Sequence, residues 1–308
     1  MRQLLSVLSL VLAGLLSAAT LAGYQVDQLL RTEEPVRQIA GDLPQQEEFS
    51  DAVSEMIVTD LTSRLPAGLD QHVPGGVESM VSGIIGPLIN NERTVAAWDE
   101  TLQTTRSTYT GQLERLFETG STGKPQELAI DVDLSPVAAA ITEPLREGLE
   151  QSLGWLPFID TQSFEFLAPE IVVDIEAVTD EEADPYTWAT AATASQYWVW
   201  FGIAAAALMI LGLIIGPGKS RWIALALGGL TAAGLGLWVA TTAAAPDFQH
   251  LAQLPQAAGV ILEHVQTSYT EWAQPAWWIF AAAAGFVVVI GVLAAVVAPS
   301  ASARRRHL

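Results

Sequence analysis

Four long stretches of this chain carry no Asp, Glu, Lys or Arg: between Arg2 and Asp27, Asp184 and Lys219, Arg221 and Asp247, and Glu271 and Arg304. Each holds the ~20 mostly apolar residues that a helix needs to cross the hydrocarbon core of a bilayer. No water is present there to satisfy backbone amides, so such a segment folds as a helix that bonds its own main chain. The predicted helical cores are Leu4–Ala22, Trp198–Ile215, Trp222–Ala243 and Trp277–Val297. Core helices of a water-soluble protein rarely run this long without a charge. In the first, Arg2 and the triplet Ser17-Ala18-Ala19 imitate a signal peptide, but the apolar run exceeds the roughly 7–15 residues of a signal's apolar region. Residues 1–23 therefore read as a retained transmembrane helix or signal anchor, with cleavage as the alternative.

The charges predict an orientation. Arg2, Lys219, Arg221 and Arg304-Arg305-Arg306 fall in the three segments between and beyond the spans that carry no acid. The region Asp27–Asp184 holds 31 acidic residues against 8 basic ones, and Asp247, Glu263 and Glu271 complete the acidic set. All the acids thus lie on one side of the expected membrane. Lys and Arg in short flanking loops mark the cytoplasmic side. Both termini are expected in the cytoplasm of a plasma-membrane protein, with the acidic region extracytoplasmic. Tyr197, Trp198, Trp200, Trp238, Trp272, Trp277 and Trp278 read as an aromatic belt at the outer face, with Trp222 at an inner end. The chain has no cysteine, which excludes disulfides, thiol nucleophiles and zinc–thiolate sites.

The outer region, 24–184, patterns as mostly helical with a little strand. Phe49, Val53, Met56, Ile57 and Leu61 recur at helical spacing, and Leu65–Gly76 breaks at its prolines and glycines. Glu92–Phe117 predicts one amphipathic helix with Val95, Trp98, Leu102, Thr105, Tyr109 and Leu113 on its apolar stripe. Leu128–Leu134 alternates as a half-buried strand, Ser135-Pro136 opens another helix, and Ile171–Val178 is a second strand able to pair with the first. The fold class expected is an all-α transmembrane bundle of four helices carrying a mostly helical α+β extracytoplasmic domain with a small two-stranded sheet. Residues 185–197 read as a linker, 216–221 as a cytoplasmic loop, 244–276 as an extracytoplasmic loop with an amphipathic helix, and 298–308 as a basic cytoplasmic tail. The 244–276 helix is expected to lie on the outer membrane surface or under the domain.

Three stretches carry a likeness. The first span followed by "YQVDQLLRTEEPVRQIAGDLPQQEEFSDAVSEMIVTDL", then "AAWDETLQTTRSTYTGQLERL", then "LAIDVDLSPVAAAI", resembles a family of actinobacterial integral membrane proteins of uncharacterised function. The resemblance implies a shared architecture and no catalytic residue.

Little in the chain points to chemistry. Gly120-Ser121-Thr122-Gly123-Lys124 imitates a phosphate loop, but Glu118 stands where the first glycine of that motif belongs, so a surface turn is expected. Asp131, Asp133, Asp174 and Glu176 would gather four carboxylates if the two strands pair, a candidate cation site. Alternating acids are also what the wet face of a sheet looks like. His72, His250 and His264 have no metal-ligand spacing. The spans lack the acids and bases of a proton or ion path, which disfavours a transporter or channel. Gly228, Ala232 and Gly236 instead suit close helix packing within the bundle. No basic patch for nucleic acid lies outside. These readings predict no catalytic residue and no cofactor. The expected partners are the lipid bilayer and an envelope protein or wall component. An extracytoplasmic ligand or cation sensor, and a membrane-anchored exported hydrolase, are the alternatives.

Overall fold

The computed structural model of the 308-residue chain describes residues 1–51, 88, 91–120, 129–132, 136–137, 139–141, 144, 146–147, 150, 171–174, 185–246 and 256–298. Helix α1 spans Arg2–Arg31, α2 Glu34–Ala40, α3 Glu92–Thr119, α4 Pro185–Ser195, α5 Trp198–Ile215, α6 Ser220–Thr241 and α7 Gln256–Val297. Strands β1 (Ala129–Val132) and β2 (Ile171–Asp174) pair antiparallel, with Ala129 opposite Asp174 and Asp131 opposite Val172.

Among the described residues, α1, α5, α6 and the Leu262–Val297 part of α7 are long and apolar enough to cross a membrane. Their packing agrees. Leu4, Leu8, Leu12, Ile203, Ile210, Ile214, Leu230, Phe286 and Val289 all point outward and are exposed. In water that surface would be a continuous apolar patch far beyond what a soluble protein tolerates. In a bilayer it is solvated by hydrocarbon. The protein is a multi-pass integral membrane protein.

The bundle is a row in which α5 packs on α1, α1 on α6, and α6 on α7. Small residues set these contacts, as expected where lipid removes the hydrophobic drive and close van der Waals packing replaces it. A methyl group at Gly14 would strike the Gly228 carbonyl oxygen, and one at Gly228 would strike the Leu10 carbonyl oxygen. On the opposite side of α6, a Cβ at Gly229 would come within 3.0 Å of Val288, and α7 returns the contact, since a Cβ at Gly291 would lie 2.9 Å from the Trp222 carbonyl oxygen. The stripe of Gly228, Ala232 and Gly236 is thus used inside the bundle, divided between α1 and α7. At the other end of the row the Ser6 hydroxyl donates to the Gly212 carbonyl at 2.7 Å, fixing α1 to the last turn of α5.

At three places the structure adds to or changes the expectation. Residues 185–197, read as a linker, are mostly helical. Most of them form α4, which buries Ala189 and Ala192 against Leu113, Tyr109 and Leu30. An alanine-rich run with no charge gave no amphipathic signal, so only its tertiary partners reveal the buried face. Second, the helix of 244–276, expected on the outer membrane surface or under the domain, packs against α2, and from Gln256 it continues unbroken into the fourth span as one 42-residue helix. Pro275 lies inside it and removes one intrahelical bond, yet the helix passes through. Third, Trp277 is not a belt residue. It is 2% exposed, in a cluster with Ala18, Ala240, Ala244 and Ala273. Trp200, Trp238 and Trp278 do face outward.

α1 also outruns its apolar core. The expected span ends at Ala22, whereas the helix continues to Arg31, where Arg31 meets Asp27 one turn back at 2.9 Å. At 1.5 Å per residue, 30 residues make a helix roughly 45 Å long, half again the thickness of the hydrocarbon core.

α3 matches its predicted bounds closely. Asn91 caps it by accepting from the Arg93 amide, and Gly120, at φ 71°, ends it in the left-handed region that suits glycine. Its buried face is Thr94, Ala97, Trp98, Thr101 and Leu113, slightly rotated from the apolar stripe read along the sequence. The Trp98 indole donates to the Ala40 carbonyl at 2.6 Å and its ring leans on Phe49. The guanidinium of Arg37 forks onto Asp99, with both bonds at 2.9 Å, tying α2 to α3. That hydrogen bond holds the Asp99 carboxyl below its ordinary pKa.

Candidate functional site

Asp131 and Asp174 lie on the paired strands, two register positions apart, while Asp133 and Glu176 lie outside the described residues. No group of three or more His, Cys, Asp or Glu among the described residues is placed to hold a metal ion. His72, His250 and the Ser121–Lys124 part of the glycine turn also lie outside the described residues. His264 is described. Its Nε2 lies 3.0 Å from Asp42 Oδ1, and Ser268 Oγ stands 3.3 Å away on the same helix. That contact joins α7 to the turn after α2. It is an inter-element link, not a ligand set.

The structure instead brings together polar groups that no motif announced, at the level where α1, α6 and α7 meet. Gln25 is 8% exposed and uses both ends of its amide. Its Nε2 donates to the Ala273 carbonyl at 3.0 Å, and its Oε1 accepts from the Trp277 indole N–H at 2.7 Å. One turn of α7 away from Trp277, Gln274 Nε2 donates to the Ala240 carbonyl near the end of α6 at 3.0 Å. Pro275 sits within this turn. Around the proline, Gln25 of α1 bonds the α7 backbone and Gln274 of α7 bonds the α6 backbone, so side-chain hydrogen bonds join all three helices at this level.

A second polar cluster closes the end of α1. Its Leu30 carbonyl accepts from Arg106 Nη1 at 2.8 Å and from Thr110 Oγ1 at 3.0 Å, both on α3. Arg31 donates onward to the Ala192 carbonyl at 3.0 Å and to Ser195 Oγ at 3.1 Å, at the end of α4. Cations placed at helix C-termini meet orphan carbonyls and the negative end of the helix dipole. Two such ends, those of α1 and α4, are closed by arginines in this cluster. Beside it Tyr109 is buried against Leu113, which raises its phenol pKa and keeps it neutral.

Deeper in the bundle lies an apolar groove of about 200 Å³. Its floor is Leu10, Gly14 and Ser17 of α1 with Leu225 and Gly228 of α6; Met209 of α5 and Ala283 of α7 stand at its margins. Both margin residues are exposed, so the groove opens on the surface that faces lipid. Ser17 is the polar residue of the lining, and its hydroxyl already donates to the Ala13 carbonyl at 2.8 Å.

These features define a class: a multi-pass membrane protein with described polar groups at the junctions between its helices. Comparison with known proteins takes it no further, since no family model, no curated protein and no solved structure matches this chain.

Proposed function

We propose that the protein is a plasma-membrane component of the cell envelope, with both termini in the cytoplasm and 24–184 outside. The outer region is a mostly helical domain with β1 and β2 as its small sheet. It acts as a binding module for another envelope protein or a wall component, and no catalysis is assigned to it. Membership in the actinobacterial family that the three stretches resemble is part of this reading. The observation that carries the proposal is the junction. α1 leaves the bundle and ends against α3 and α4 through Leu30, Arg31 and Arg106, so a load or partner on the outer region bears directly on a transmembrane helix. An anchored hydrolase needs only a tether, whereas a binding module that positions a partner needs a stiff mount. The separation of the six basic residues from the acidic region supports the orientation.

The test uses the absence of cysteine. Ser107→Cys and Lys219→Cys are labelled in intact cells with a membrane-impermeant maleimide. Labelling of Ser107→Cys alone is expected; labelling of Lys219→Cys alone overturns the orientation. In-cell crosslinking and mass spectrometry then follow, with a reproducible envelope partner crosslinked through Asp27–Asp184 as the expected result. Recovery of the protein by itself, with efficient crosslinking controls, counts against a stable protein partner.

A further inference from the structure

We propose that the basic end of the bundle, where α1 begins and α5 turns into α6, binds the headgroup of one anionic phospholipid. Three cations come to this end. Arg2 opens α1, Lys219 closes the loop after α5, and Arg221 is the second residue of α6. The loop is short because Gly218, at φ 50°, takes up the reversal in the left-handed region. Packing brings α1 to the same place. The Ser6 hydroxyl donates to the Gly212 carbonyl, and a Cβ built on Gly216 would touch both that hydroxyl and the Arg221 side chain. Arg2 stands one helical turn before Ser6.

These charges have no counter-charge. Among the described residues none of the three makes an ion pair, whereas Arg31 and Arg37 in the outer region each meet an acid. No acid occurs in α5, in α6 or in the loop between them. α6 also starts without an acid in its first turn and without a side-chain cap, so its positive end meets cations where a carboxylate is the stabilising choice. Arg221 is held in place all the same, with its guanidinium carbon 5.1 Å from the centre of the Trp222 ring. None of its N–H donors goes to an acceptor among the described residues, so the guanidinium is positioned with its hydrogen bonds still to make. Its parallel donors match two oxygens of one phosphate, a fork that a lysine ammonium does not reproduce.

Depth selects the occupant. At 1.5 Å per residue the 22 residues of α6 make a helix ~33 Å long, close to the thickness of the hydrocarbon core, so its first turn lies at headgroup level. The anion always present at that level is the lipid phosphodiester. A zwitterionic headgroup brings its own cation to the same surface, whereas an anionic one brings none, and three unpaired cations favour the second. The site is separate from the binding role of the outer region and stands whichever face of the membrane this end occupies.

The experiment places the full chain in detergent micelles with equal amounts of phosphatidylglycerol and phosphatidylcholine of the same acyl chains, and counts retained lipid by native mass spectrometry. One phosphatidylglycerol per chain, retained at least fivefold over phosphatidylcholine, is expected. Arg221→Lys keeps the charge and loses the fork, and is expected to bring the ratio below twofold. Lys219→Gln is expected to halve the ratio and decides the matter if Arg221→Lys does not fold. An unaltered ratio in the deciding variant overturns the proposal, because diffuse charge, the arginines at 304–306 included, then accounts for the preference. Equal retention of the two lipids by the native chain overturns it as well. So does release of the phosphatidylglycerol by millimolar inorganic phosphate, since a free anion is then the ligand.

Discussion

An amide side chain at the end of a membrane span either reaches out to the headgroups or finds partners inside the bundle. Gln25 takes the second course, and its two bonds make it the point where α1 grips α7. Replacing it with leucine keeps the bulk but leaves the Trp277 indole N–H, which is 2% exposed, with no acceptor among its described neighbours. A buried donor without a partner costs about 1–3 kcal/mol, and hydrogen bonds between membrane helices average below 1 kcal/mol. Gln25→Leu is therefore expected to lower the unfolding free energy in detergent by about 1–2 kcal/mol. Trp277→Phe removes the orphaned donor together with its bond and is expected to rescue part of that loss in the double variant. Additive effects in the titration curves would show that the two side chains do not act as a pair. At this scale the sequence was least readable. Gln25 stands three residues beyond the last residue of the predicted span, and Trp277 looked like any other tryptophan at a membrane border. Neither belongs to a motif, and only the convergence of helices distant in sequence makes them partners.

Periodicity and charge, by contrast, exposed most elements, because the bilayer imposes a length and a composition that a sequence cannot hide. The starts of α5 and the ends of α5 and α7 lie where the charge-free runs place them. What composition could not show was which face of α6 meets which neighbour. Its glycines point both ways, Gly228 towards α1 and Gly229 towards α7, while Gly234 has nothing within 4 Å of a Cβ built on it. The three sites therefore separate packing from helix propensity. Gly228→Ala forces the α1 and α6 backbones apart and is expected to cost about 1–3 kcal/mol, the usual range for overpacking. Gly234→Ala meets open space and is expected to be neutral or to stabilise by up to about 1 kcal/mol through backbone entropy. Thermal melts of the two purified variants, read by near-ultraviolet circular dichroism, distinguish opposite signs. Equal effects would mean that the α1–α6 contact does not depend on close backbone approach. The same reasoning explains why α4 was misread: alanines with no charged neighbours look like spacer until Leu113 and Leu30 are seen against them.

For the molecule as a whole, the question is whether its wet and its lipid-embedded parts move as one. The charge count divides the chain sharply, with 8 basic and 31 acidic residues giving −23 in the acidic region against −20 for the whole chain, and a division of that kind alone suggests two independent halves. The contacts argue for coupling. α1 belongs to both parts, and its Leu30 carbonyl is held by Arg106 and Thr110 from α3 while Arg31 holds the end of α4. A charged cap at a helix C-terminus contributes about 0.3–1 kcal/mol when exposed and up to ~2 kcal/mol when partly buried. Losing it raises the population of the opened turn by about 2- to 30-fold. Arg106→Met, which keeps the aliphatic stem and removes the cap, is therefore expected to speed hydrogen exchange in residues 26–31 by that factor. The amides of residues 5–20, which close their bonds inside the bundle, are expected to exchange as before. The same variant should also loosen the amides of α4, whose Ala192 carbonyl depends on a well-placed Arg31. Faster exchange in both segments at once is the signature of a single mount. Faster exchange in the end of α1 alone would mean that α3 and α4 hold together without it.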